Sequence, residues 1–93
     1  DLAGVCSGPG GSIKTYMRLE GPAQNRIRAA LVTGDFFVTP PRLIYDLESR
    51  LRGVYLEEVA RVVSEFFQQS DFEVLSVSPE DFIASIEDAL ASE

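Results

Sequence analysis

Residues 12–33, SIKTYMRLEGPAQNRIRAALVT, decide the fold class. From Ser12 to Glu20, Ile13, Thr15, Met17 and Leu19 alternate with Lys14, Tyr16 and Arg18. That period of two places one set of side chains on each face of a strand. Gly21-Pro22 turns the chain and Asn25 ends the turn region. Arg26 to Thr33 is a second strand, with Ile27, Ala29, Leu31 and Thr33 expected opposite Arg26, Arg28, Ala30 and Val32. Two strands joined by so short a connection pair antiparallel.

Downstream of the hairpin the periodicity changes from two to three-and-four. Gly34-Asp35 closes the second strand and Phe36-Phe37-Val38 follows as an apolar knot. A helix is expected over about Pro40–Arg52, with Thr39 as its cap, Pro40 at its first position and Leu43, Ile44, Leu47 and Leu51 on one face. Gly53 suits its left-handed stop. A second helix is expected over about Leu56–Gln69, directing Leu56, Val59, Val63 and Phe66 or Phe67 inward and holding Glu57 and Glu58 in its first turn. Phe72 to Val77 reads as a third strand or an extended connector. Ser78-Pro79-Glu80-Asp81 is a strong helix start, followed by Phe82, Ile83, Ile86 and Leu90 as the buried set. The glycines at 4, 8, 10 and 11, with Ser7, Pro9 and Ser12, predict a flexible lead-in over residues 1–11 ahead of a single domain at 12–93. The expected architecture is α+β: a small antiparallel sheet covered on one face by about three helices.

Composition narrows the chemistry. The chain has 93 residues, enough for one modest core, and a formal charge of −7. An acidic domain of this kind repels nucleic-acid phosphates and anionic lipid. No apolar run is long enough to span a bilayer. Histidine is absent, which removes the usual general base and every Ser/His or Cys/His couple. Cys6 is the only cysteine, so no internal disulfide can form, in keeping with a reducing, cytoplasmic setting. With no thiol cluster and no phosphate-binding loop, neither a metal nor a cofactor is expected on this chain, and no catalytic residue is assigned.

Four features carry what functional signal remains. The Pro9-Gly10-Gly11 turn before Lys14 could approach a phosphate, but it leads into a strand, not a helix, and reads as a plain strand approach. Lys14 and Arg18, with Arg26 and Arg28, occupy polar-phase positions around Tyr16, gathering half of the eight basic residues on one sheet face. They read either as a solvated outer face or as a docking surface. Asp35 and Phe36, in Gly34-Asp35-Phe36-Phe37, read as a strand end with core aromatics or as a loop contacting another lobe. Cys6 is an incidental thiol or a sulfur acceptor.

The ordered series from Pro9 to Gly53 resembles the C-terminal, accessory domain of lipoate–protein ligases. It comprises the glycine turn, the Ile13–Leu19 strand, the Arg26–Val32 strand, Gly34-Asp35-Phe36-Phe37 and the helix ending at Leu51-Arg52-Gly53-Val54. Ser78-Pro79-Glu80-Asp81-Phe82 resembles that family's last helix more loosely. The resemblance implies a fold similar to iron–sulfur scaffold proteins. It implies a partner, the ligase catalytic domain on the same or a separate chain, which binds ATP and lipoate, forms lipoyl-adenylate and passes the lipoyl group to a lysine of an acceptor domain. The accessory domain packs on that lobe and supports both half-reactions. Lys14, Tyr16, Arg18, Arg26, Arg28, Asp35 and Phe36 are the candidate interface residues. The competing readings are a sulfur-transfer or iron–sulfur scaffold protein using Cys6, and a bare protein-interaction module.

Overall fold

The computed structural model describes residues 1–92. Its main sheet is an antiparallel meander of three strands, β1 (Leu2–Gly8), β2 (Gly11–Glu20) and β3 (Arg26–Asp35), in the order β1-β2-β3. A two-residue ribbon, β4 (Val38–Thr39) with β5 (Val74–Leu75), lies apart from it. Three helices complete the chain: α1 (Arg42–Leu51), α2 (Val59–Gln69) and α3 (Pro79–Ala91). A single 3-10 turn at Leu56–Glu58 leads into α2.

The hairpin forms as its alternation requires. Ile13, Thr15 and Met17 are buried while Lys14, Tyr16 and Arg18 are exposed. On β3 the expected phase holds at Ile27, which is buried, and at Arg28, which is exposed, and fails beyond them. The register with β2 shifts between Arg18 and Leu19: Leu19 pairs with Ile27 and Arg18 with Ala29, which leaves Arg28 as an extra residue. A bulge of this kind reverses the inside–outside alternation beyond it. Ala30 and Val32 therefore turn toward the core, and Ala29, Leu31 and Thr33, expected inward, are exposed.

The lead-in is the second correction. Residues 2–8 are not a flexible segment but an edge strand, paired from Leu2↔Met17 to Gly8↔Gly11. Gly4 explains why a glycine-rich sequence belongs there. A Cβ at that position would lie 2.2 Å from the Ala89 backbone nitrogen and 2.3 Å from the Ser85 carbonyl oxygen. Strand and helix backbones are in direct contact, as only glycine permits. Ser85 on α3 uses that proximity: its hydroxyl is 2.9 Å from the buried Thr15 hydroxyl and donates to the Gly4 carbonyl at 3.2 Å. Each polar group in this small buried cluster is thereby satisfied.

Helices α1, α2 and α3 bury Leu43, Ile44, Leu47 and Leu51, then Val59, Val62, Val63, Phe66 and Phe67, then Phe82, Ser85, Ile86 and Ala89. All but Val62, Ser85 and Ala89 of these join Ile13, Met17, Ile27 and Val32 of the sheet in one hydrophobic core. Ile83 and Leu90, expected inside, are only partly buried. The strong helix start expected at Ser78 is present, and the structure closes it into a capping box: Ser78 Oγ accepts from Asp81 N–H, and the Asp81 carboxylate accepts from Ser78 N–H. The start of α1 is not as expected. Thr39 belongs to β4 and accepts the Glu73 N–H at 2.8 Å, so the helix begins two residues later, at Arg42, without a side-chain cap. Gly53 does adopt a left-handed conformation, at φ 83°, after α1. The Phe72–Val77 segment contributes only β5, which pairs with β4; the third strand of the main sheet is β1.

Candidate functional site: the outer sheet face

All three helices and the core lie on one side of the sheet. Among the described residues no helix or strand covers the opposite side, which is built from three cross-strand rows. Val5, Lys14 and Thr33 form one; Ala3, Tyr16 and Leu31 form the next; Arg18 and Ala29 form the third, where Asp1 approaches. Val5 is 50% exposed, Tyr16 40% and Leu31 51%. An apolar stripe across three strands, flanked by cations, is unusual on a half-solvated antiparallel sheet, whose outer face is ordinarily polar. Lys14 Nζ sits 5.4 Å from the centre of the Tyr16 ring, and Arg18 Nε is 2.9 Å from an Asp1 carboxylate oxygen. Between Tyr16, Arg18, Ala29 and Leu31 lies a shallow depression of about 220 Å³, where the small Ala29 side chain leaves room beside larger neighbours.

The sequence-predicted residues divide accordingly. Lys14, Tyr16 and Arg18 stand together on the outer face. Arg26 lies beyond the bulge, where its guanidinium pairs with Glu20 at 3.0 Å and packs over the Tyr55 ring. Arg28 is displaced by the bulge toward α1 and lines a cleft with Glu48, Ser49 and Arg52. The four cations therefore do not form one patch. Asp35 is exposed at the far end of β3, opposite Ser12. Phe36 is partly buried against the core, edge-on to Phe82 with ring centres 5.7 Å apart. Its neighbour Phe37 is the exposed ring, at 75%. Val5 and Leu31 are not legible in the sequence, because the glycine pattern of β1 reads as a loop and the bulge inverts the phase of β3. The run Leu31-Val32 offers two adjacent apolar residues and no local signal for which one faces out.

Cys6 lies on the inner side of β1, half-buried, with its sulfur 3.8 Å from an Asp81 carboxylate oxygen. Desolvation, and then the Asp81 carboxylate beside it, push the thiol pKa up, with a smaller contribution from Asp88. A nucleophilic or sulfur-accepting cysteine needs the opposite environment. Among the described residues, no group of three or more His, Cys, Asp or Glu side chains is placed to hold a metal ion. No helix among them is long and apolar enough to cross a membrane.

No family model matches the chain. Over 76 residues it is 36% identical to lipoate–protein ligase A subunit 2 of Thermoplasma acidophilum, an alignment covering 82% of this chain and 77% of the relative. It also superposes, with a TM-score of 0.77 and 32% identity, on a chain from the solved structure of an archaeal lipoylation system: a bi-partite lipoate protein ligase and its E2 lipoyl domain from the same organism. That superposition covers 90% of this chain and 91% of the other, so the fold is shared over most of both. At this identity and coverage, the chain belongs to the family of lipoate–protein ligase A subunit 2.

Proposed function

We propose that the chain is the accessory subunit of a two-part lipoate–protein ligase, packing on a separate catalytic subunit and supporting lipoyl-adenylate formation and transfer of the lipoyl group to a lysine of an acceptor domain. The observation that carries this reading is the likeness over nine-tenths of the chain to a solved bi-partite lipoate protein ligase. ATP and lipoate are then substrates of the catalytic subunit, and this chain contributes surface instead of reacting groups. A single thiol without a disulfide partner suits a cytoplasmic setting.

The surface that meets the catalytic subunit is the outer sheet face. Tyr16 and Leu31 provide apolar anchors beside the depression, Val5 extends them onto β1, and Lys14 and Arg18 supply charge at the margin. This is the usual anatomy of an interface: a desolvated centre with a charged rim. The sulfur-transfer alternative finds no support in the surroundings of Cys6, where burial and then Asp81 push the thiol pKa up.

The test is reconstitution. The catalytic subunit from the same genome is assayed for lipoyl-adenylate formation and for lipoylation of an acceptor domain, with and without this chain. Substantial activity is expected only when both are present. A catalytic subunit that runs equally fast without it would refute the proposal, and Cys6→Ser should leave the reconstituted rate unchanged.

A further inference from the structure

The cleft beside β3 holds two of the four arginines that form no ion pair among the described residues. Arg18, Arg26 and Arg61 pair with Asp1, Glu20, Glu58 and Glu65. Among the described residues, Arg28, Arg42, Arg50 and Arg52 pair with no carboxylate, although the chain has 15 acidic residues to 8 basic ones, and of these four only Arg28 and Arg52 share a cleft. Both are exposed. The backbone sets them side by side: Gly53 N–H donates to the Ile27 carbonyl at 2.7 Å, and Ile27 N–H to the Val54 carbonyl at 2.9 Å. Arg28 follows Ile27 and Arg52 precedes Gly53. The bulge that displaces Arg28 from the β2–β3 register directs it toward α1, the kind of re-aiming bulges provide next to functional sites.

Between the two arginines lies a cleft of about 400 Å³, with Glu48 and Ser49 on its α1 wall and Ala29 and Ala30 on its β3 wall. One Glu48 oxygen is occupied in accepting the Val32 N–H at 2.7 Å, which fixes that carboxylate on the β3 edge. Ala29 and Ala30 also border the depression on the outer face. The cleft is therefore continuous with the docking surface, and a partner seated on the sheet reaches it over the edge of β3.

We infer that this cleft is a clamp for a carboxylate side chain of the catalytic subunit, an Asp or Glu inserted between Arg28 and Arg52. The inference rests on the accessory-subunit reading above and adds the chemistry of the contact. Guanidinium groups match carboxylates in planar, two-point geometry, and buried at an interface such pairs set orientation as well as affinity. Glu48 already contributes one negative charge to the wall, so two arginines leave room for one monoanion and not for a multiply charged phosphate chain. In the isolated acidic subunit the pair stays open, since Glu48, the acid on the cleft wall, is engaged by the Val32 N–H.

The experiment measures binding of the full chain to the catalytic subunit by calorimetry or anisotropy, for wild type, Arg28→Glu, Arg52→Glu, the double reversal and the double Arg→Lys variant. Circular dichroism confirms that these exposed substitutions leave the fold intact. Wild type should bind, and each reversal should weaken binding by roughly tenfold or more, since the reversed charge repels a buried carboxylate. The double lysine variant should fall between, having kept the charge but lost the fork, and inorganic phosphate should not compete. Wild-type binding with undiminished binding by the double reversal would overturn the clamp while leaving the accessory role standing. Competition by inorganic phosphate would overturn it in favour of a free oxyanion site. Failure of wild type to bind at all would remove both.

Discussion

Gly4→Ala isolates the contact on which the three-stranded sheet depends. The new methyl group would meet the Ala89 nitrogen at 2.2 Å, the Ser85 oxygen at 2.3 Å and the Ala89 Cα at 2.7 Å. All three are backbone atoms of α3, so no side chain can swing aside. Restoring a separation near 3.5 Å requires α3 to retreat by more than ~1 Å, and a gap of that size forfeits about a quarter to a half of the dispersion attraction along the interface. The retreat strains the packing of Phe82, Ile86 and Ala89 and stretches the Ser85–Gly4 and Val5–Asp88 hydrogen bonds, now 3.2 and 2.9 Å long. Overpacking of this kind costs about 1–3 kcal/mol, and each weakened hydrogen bond adds up to ~1 kcal/mol. We expect a loss of about 3 kcal/mol, which in a domain of this size lowers the thermal midpoint by roughly 15 °C. Gly8→Ala, on the same strand, is the control: nothing lies within 4 Å of its added Cβ. It should be neutral or raise stability by up to ~1 kcal/mol through the unfolded state. Thermal unfolding followed by circular dichroism reads both. A Gly4→Ala midpoint close to that of Gly8→Ala would refute the direct strand–helix contact.

Three further expectations can be checked alongside it. Leu31→Lys, on the exposed face, should leave the thermal midpoint within a few degrees of wild type, as surface changes stay near ~0.5 kcal/mol, yet weaken binding to the catalytic subunit; equal affinity would exclude that face as the interface. Ser78→Ala removes the hydroxyl that accepts the Asp81 N–H at 3.3 Å and should cost about 1 kcal/mol, with chemical denaturation as the readout. Because the Cys6 pKa is raised on folding, the folded thiol should alkylate more slowly than an unstructured cysteine at pH 8–9 (around its reference pKa of ~8.5), and Asp81→Asn should speed it. The sign for stability follows: the protonated thiol favours the fold below the unfolded pKa, and that contribution is lost as pH rises through the folded value. Alkylation as fast as that of a free thiol would contradict the placement beside Asp81.

Local pattern carried much of the fold. Lys14 to Arg18 alternate over a few residues, Gly21-Pro22 turns the chain, and Ser78 and Asp81 cap a helix from three positions apart. Each of these signals is complete within one or two turns of chain, so nothing distant is needed to interpret it. The candidate site was less legible. Tyr16, Lys14 and Arg18 could be placed on the outer face, but Leu31 and Val5 could not, and Phe36 and Phe37 are adjacent rings with opposite fates.

Those remaining assignments depend on partners far along the chain. Gly4 looks like loop sequence until Ser85 and Ala89 come to rest against it, contacts that span some 80 residues. The bulge at Arg28 depends on Ile27 being bonded to both Gly53 and Val54, which fixes one end of β3 while its other end keeps register with β2. The sequence alone determined which segments become strands and helices, because backbone preference and hydrophobic period act over a few residues. Only the tertiary structure decided which faces are left open, because exposure is set by what packs across from a residue and not by what lies beside it in the chain.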